Sequence, residues 1–217
     1  MRHRWDLEPR EAAELQRRLA GRVETWDRFA AVRTVGGVDA SFKGGRARAA
    51  VVVMSFPGLR LVEERTAESR LDFPYVPGLL SFREIPALLR AWRKVRRKPD
   101  LLLCDGHGIA HPRRFGLASH LGVYLELPAI GCAKSLLCGS HGPLPSPRGS
   151  TAGLRLDGDV VGAAVRTRSG VAPIYVSSGH RVGLSKAIEF VLSCAKTRIP
   201  EPIRRADRLT KDWGLRN

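Results

Sequence analysis

TVGGVDASFKGGRARAAVVVMSF, residues 34–56, decides the fold class. Residues 34–43 and 46–56 are rich in β-branched and small apolar side chains, and they flank Gly44–Gly45, a pair suited to a tight hairpin turn. Pro57–Gly58 makes a second turn into LRLVEERTAE (59–68), which reads as a third strand. Connections this short join antiparallel neighbours, so 34–68 is predicted to be a three-strand meander.

Working outward, the pattern downstream alternates. LLLCD (101–105) and AIGCA (129–133) read as strands around a helix, FGLASHLGVYLE (115–126). DVVGAAVRT (159–167) and APIYVSS (172–178) read as strands before a helix at 184–196. Further helices are predicted at 8–23, at 85–98 with Pro86 in its first turn, and at 201–211. The Gly/Ser/Pro-rich stretch 139–153 reads as a long mobile loop. A meander followed by alternating strand and helix predicts an α/β fold. Its mixed sheet, the antiparallel three-strand meander plus parallel strands, is flanked by helices.

Composition narrows the function. The 217 residues suit one domain, 1–217, able to bury a full core. Thirty-seven basic against 21 acidic residues give a net charge of +16. That surplus calls for a polyanionic partner. The opening MRHRWDLEPR has no apolar signal region, and the longest apolar run, AAVVVM (49–54), is too short to span a bilayer. The expectation is a soluble cytoplasmic protein with no membrane partner. Cys104, Cys132, Cys138 and Cys194 lack metal-site spacing and read as free thiols in a reducing compartment.

Two motifs bear on chemistry. In FPYVPG (73–78) Pro74 and Pro77 restrict Tyr75 and Val76, so one aromatic ring is held stiffly. Either it packs on its own protein or it is presented to a partner. The second motif is a set of carboxylates. Asp39 interrupts an apolar strand on the face of Val35, Gly37 and Ser41, where a charge is costly unless it meets a cation. Glu84 opens the basic helix, and Asp105 ends a strand before GHG, where α/β sheets place functional loops. A helix-terminus role for Glu84 and a turn-capping role for Asp105 stand beside the catalytic reading.

Carboxylates gathered near phosphates need a cation, and an oxygen donor set favours Mg²⁺ or Mn²⁺. Such a site polarises a scissile phosphate and activates water. Lys134, ending AIGCAK, would add positive charge beside that phosphate. A competing zinc reading uses Cys104, His107 and His111, although Gly106 and Gly108 argue against the helix it needs.

The motifs GVDASF, FPYVPGLLSFRE, LLLCDGHGIAHPRRFGLASHLG, GCAKSLLCG, RGS, VRTRSGVAPIYVSSGHRVGL and EPIRRADRL, in this order over nearly the whole chain, resemble the endonuclease V family. The resemblance implies a ribonuclease-H-like fold and Mg²⁺-dependent cleavage of DNA at the second phosphodiester bond 3′ to deoxyinosine, leaving 3′-hydroxyl and 5′-phosphate ends. It implies metal binding by Asp39, Glu84 and Asp105, and catalytic roles for these three with Lys134 and Asp207. Pro74, Tyr75, Val76 and Pro77 correspond to a wedge that fills the gap left by the extruded base. Gly78, Leu80, Gly106 and His111 correspond to the base pocket, and His180 to a structural or strand-contacting position. Inosine-containing RNA is the alternative substrate, and a non-catalytic basic nucleic-acid-binding module the alternative function. The protein is expected to be a monomer.

Overall fold

The computed structural model describes residues 3–213. Its elements are α1 (Pro9–Ala20), β1 (Thr34–Lys43), β2 (Arg46–Ser55), β3 (Leu61–Arg70), α2 (Leu80–Lys94), β4 (Leu101–Cys104), α3 (Leu117–Leu125), β5 (Ala129–Ala133), β6 (Thr151–Leu156), β7 (Asp159–Val165), β8 (Ile174–His180), α4 (Leu184–Cys194) and α5 (Glu201–Lys211). The eight strands form one mixed sheet in the order β3-β2-β1-β4-β5-β8-β7-β6. β1, β4 and β5 run parallel at its centre. The meander is antiparallel on one side, and β8, β7 and β6 are antiparallel on the other.

Strand periodicity splits the core cleanly. On β2, Ala50, Val52 and Met54 face one layer with Val191 of α4 and Ile203 of α5, while Ala49, Val51 and Val53 face the other with Ile85 and Leu88 of α2 and Leu121 of α3. Val51, Val52 and Val53 are 0–1% exposed, and burying each contributes about 1.5–3 kcal/mol. A third cluster packs Ala12, Leu15 and Leu19 of α1 on Phe73, Phe82 and Phe115. α5 lies directly on β1, since a Cβ on Gly37 would sit 2.1 Å from the carbonyl carbon of Pro202. Only glycine at 37 permits that approach.

Three expectations are corrected. α2 begins at Leu80, so Pro86 lies inside it and Glu84 is in its second turn. A proline in a helical pattern signals a start, but the buried series Phe82, Ile85, Leu88 and Leu89 continues the helical stripe through it. The helix also stops at Lys94, where the backbone N–H groups of Arg96 and Arg97 donate to the Glu63 carboxylate. Residues 139–153 are tied down: Ser140 bridges Arg155, the Arg166 side chain bonds the carbonyls of Leu144 and Pro145, and Thr151 opens a strand. Among the described residues no helix is long and apolar enough to cross a membrane.

Candidate functional site

Asp39 projects from β1 towards α5, on the face that alternation assigns it. There the Thr210 hydroxyl donates to its Oδ2 at 2.5 Å, and the Ser41 hydroxyl, two residues along the same face, donates to the Thr210 carbonyl at 2.6 Å. β4 pairs with β1 in parallel, Val38 opposite Cys104, which sets Asp105 just past the strand end beside Asp39. Asp207 reaches the same place from α5. The three carboxylates each offer an oxygen within 4.8 Å of the others. Lys134, following β5, places Nζ 2.5 Å from Asp105 Oδ2 and 3.5 Å from Asp207 Oδ1, while Lys211 Nζ lies 2.6 Å from Asp207 Oδ2.

Glu84 is the fourth carboxylate, only 7% exposed on α2, and it stands outside that group of three. Burial, and then the charges of Asp39 and Asp105, push its pKa well up. Asp39 is pushed up to about 7, first by burial and then by Asp105 and Asp207, against the opposing pull of the Thr210 hydroxyl and Lys134. Lys134 is raised: burial works against its charge, but Asp105, Asp207 and Asp39 outweigh it. Buried like charges this close are relieved by a cation, and an all-oxygen donor set suits Mg²⁺ or Mn²⁺. The zinc reading finds no support among the described residues. Cys104 is packed in the apolar core, and neither it nor His107 nor His111 belongs to a converging ligand group.

Beside the carboxylates lies a cavity of about 240 Å³. Gly78, Leu80, Gly106 and His111 all line it, with Tyr75, Val76 and Pro77 also along its wall. Gly106 and Ser135, which line it too, directly follow Asp105 and Lys134, so chain continuity joins cavity and carboxylates. The Tyr75 ring is not packed on its own protein: the residue is 72% exposed. Its segment is anchored at Phe73, which is buried and whose carbonyl accepts from Arg83 at 3.0 Å. His111 is pushed down to about 4, chiefly by burial, and is neutral. Its Nδ1 accepts from the Arg113 backbone N–H, so its Nε2 donates to the Gly78 carbonyl.

Sequence reasoning missed Thr210, Ser41, Gln16 and Arg113. Thr210 was within reach, because it follows Asp207 by three residues on a helix and so shares its face. His180 sits at the other end of the sheet: it pairs with Ala129 at the start of β5, whereas Lys134 follows its end. Its Nδ1 accepts from the Glu24 N–H there, a structural contact. The basic residues that close α2 are also remote, since roughly 15 Å of helix separates Glu84 from Lys94.

Comparison with known proteins gives one family. A model described as Endonuclease V matches residues 17–208. The Endonuclease V of Roseiflexus castenholzii is 54% identical over 214 residues, 98% of this chain and 96% of that protein. The crystal structure of Endonuclease V from Streptomyces avermitilis, 46% identical, superposes with a TM-score of 0.90 over 95% of this chain and 93% of that one. A Ciona intestinalis Endonuclease V, solved in complex with a 23-mer DNA containing an inosine followed by a ribo-adenosine, is 31% identical with a TM-score of 0.83, covering 93% of this chain and 95% of that one.

Proposed function

Because the chain belongs to the endonuclease V family, we propose that it is a Mg²⁺-dependent endonuclease acting on deoxyinosine in DNA. It cuts the second phosphodiester bond 3′ to the lesion and leaves 3′-hydroxyl and 5′-phosphate ends. The chain, 1–217, works as one domain, as a monomer, in the cytoplasm. The observation that carries this reading is the convergence of Asp39, Asp105 and Asp207 next to a cavity bordered by an exposed, proline-held tyrosine.

Asp39, Glu84 and Asp105 would hold the metal, with the Asp207 carboxylate converging on those of Asp39 and Asp105. A bound Mg²⁺, or Mn²⁺ in its place, supplies Lewis-acid stabilisation of the scissile phosphate and lowers the pKa of water. Thr210 fixes the Asp39 carboxylate, and Lys134 brings positive charge to the phosphate. A base in a duplex must leave the stack before it is read, at a cost of a few kcal/mol. Tyr75, held by Pro74 and Pro77 with Val76, enters the vacated gap. The extruded base occupies the cavity against Gly78, Leu80, Gly106 and neutral His111.

The test is nicking of inosine-containing oligonucleotides, DNA and RNA in parallel, with Mg²⁺, Mn²⁺ or EDTA, and with product ends mapped. Inosine-dependent, metal-dependent nicks at the second 3′ bond of DNA are expected. The ribo-adenosine in the Ciona ligand favours including RNA, and faster cutting there would make the chain an inosine-specific ribonuclease instead. Binding without nicking would leave a non-catalytic module.

A further inference from the structure

Gln16 stands among Ala12, Leu15 and Leu19 on the buried stripe of α1, where an apolar side chain would pack at no polar cost, yet it is 1% exposed. Both ends of its amide are engaged. Nε2 donates to the Gly78 carbonyl and to the Phe115 carbonyl, both at 3.0 Å, and Oε1 accepts from Arg113 Nε at 2.6 Å. Arg113 Nη2 then donates to the same Gly78 carbonyl at 2.7 Å, and His111 Nε2 does so at 2.9 Å. One carbonyl oxygen therefore takes three donors from two distant segments.

That carbonyl belongs to the residue immediately after Pro77. Gly78 has φ +77°, and a Cβ there would meet Arg113 Nη2 at 2.7 Å, so glycine is required both by the backbone and by the guanidinium. Tyr75 itself is 72% exposed and makes no part of the core. Its direction is set by its two anchors, Phe73 in front and Gly78 behind. The front anchor is apolar packing and one Arg83 bond; the rear anchor is this polar clamp. A hydrogen-bond network that converges on one carbonyl fixes one geometry where apolar packing tolerates several.

We propose that Gln16 and Arg113 are positioning residues for lesion recognition: they lock Gly78 to the 111–115 segment and so set the angle at which Tyr75 meets the duplex. The N-terminal helix α1 is thereby part of the recognition apparatus, although none of its residues reaches the carboxylates. This rests on the reading of Tyr75 as a wedge. A wedge matters where a base must be pulled from a stacked pair, and much less on a single strand, whose bases are already unpaired. The clamp must therefore act on duplex preference.

The experiment measures equilibrium binding, in EDTA, to one deoxyinosine oligonucleotide as duplex and as single strand. The proteins are wild type, Gln16→Met, Arg113→Met, the double variant and Tyr75→Ala. Methionine keeps the volume of either side chain and makes none of the clamp's bonds. Each single substitution is expected to lower the duplex-to-single-strand affinity ratio about three- to tenfold, the weight of one or two buried hydrogen bonds. The double variant should be no worse than the worse single, because the two residues share one network. Arg113→Lys, which keeps the charge and loses the two-pronged contact, repeats the measurement in a milder background should a methionine variant fail to fold. An unchanged ratio in the clamp variants, with Tyr75→Ala lowering it, overturns the clamp and leaves the wedge standing. An unchanged ratio in Tyr75→Ala overturns the wedge reading, and the clamp's role falls with it.

Discussion

The hydroxyl of Thr210 lies 2.5 Å from Oδ2 of Asp39, across 171 residues of chain, and joins the last helix to the first strand at the point where the carboxylates meet. It opposes the burial that raises the Asp39 pKa. The Ser41 hydroxyl, bonded to the Thr210 carbonyl, fixes the donor in its turn.

Thr210→Val keeps the shape and removes the donor. The Asp39 carboxylate loses the Thr210 hydrogen bond, so its pKa rises further and it yields less readily to a cation. The metal concentration for half-maximal nicking should rise about tenfold or more, as for other partners of metal ligands, and the acidic limb of the pH profile should move to higher pH. A metal titration of single-turnover rates checks both, and Thr210→Ser should restore them.

Metal-free stability should fall as pH rises. Asp39 is raised from 3.8 to about 7 and Glu84 is raised as well, so the folded protein holds protons that the unfolded chain has released. Between about pH 4 and 7 the unfolded state therefore binds fewer protons, and unfolding becomes easier with each step up in pH. A divalent cation favours the ionised carboxylates and cancels the loss. Melting curves with EDTA and with Mg²⁺ should separate most above about pH 7 and converge near pH 5. Equal Mg²⁺ stabilisation at both ends would place the metal elsewhere.

Asp207→Ala should reduce nicking about 10- to 100-fold, and Asp207→His should retain much more, since His can still accept from or ligate a metal-bound water. Asp207 also pairs with Lys211 at 2.6 Å and more loosely with Lys134 at 3.5 Å, so the Ala variant removes the Lys211 ion pair while Lys134 keeps Asp105 at 2.5 Å. Single-turnover rates for both variants decide whether the carboxylate acts at the focus or only balances charge; a silent alanine would mean the latter.

Tyr75→Ala removes the exposed ring. Stacking worth roughly 1–3 kcal/mol per base means that discrimination between inosine and undamaged duplex should drop about 5- to 150-fold. Binding titrations on the two duplexes measure it. Preserved discrimination would reduce the ring to an exposed turn residue.

What the sequence made visible follows from periodicity and from turn chemistry. Gly44–Gly45 fixed the first hairpin, alternation put Asp39 on the face of Gly37 and Ser41, and a strand ending at Cys104 put Asp105 at the sheet's functional end. Asp207 was reached only through resemblance, because an Asp among arginines on a helix looks like a solvated face. Pro86 is no start signal here, since a proline in the second turn of a helix is tolerated when buried Phe82 and Ile85 before it and Leu88 and Leu89 after it hold the helix to the core. The ordering of 139–153 and the Gln16 clamp depend on single side chains bonding carbonyls far along the chain, such as Gln16 to Phe115, 99 residues apart. No local period encodes such contacts.

The most direct test of the account is single-turnover nicking of a deoxyinosine duplex by wild type, Asp39→Ala and Asp105→Ala, each with Mg²⁺ and with EDTA, alongside binding of the same duplex. Wild type should cut only with the metal, at the second bond 3′ to the inosine. Both variants should lose cutting while still binding the duplex, because they remove metal ligands and no phosphate contacts. Cutting by either variant within about tenfold of wild type would contradict it, as would wild-type cutting in EDTA.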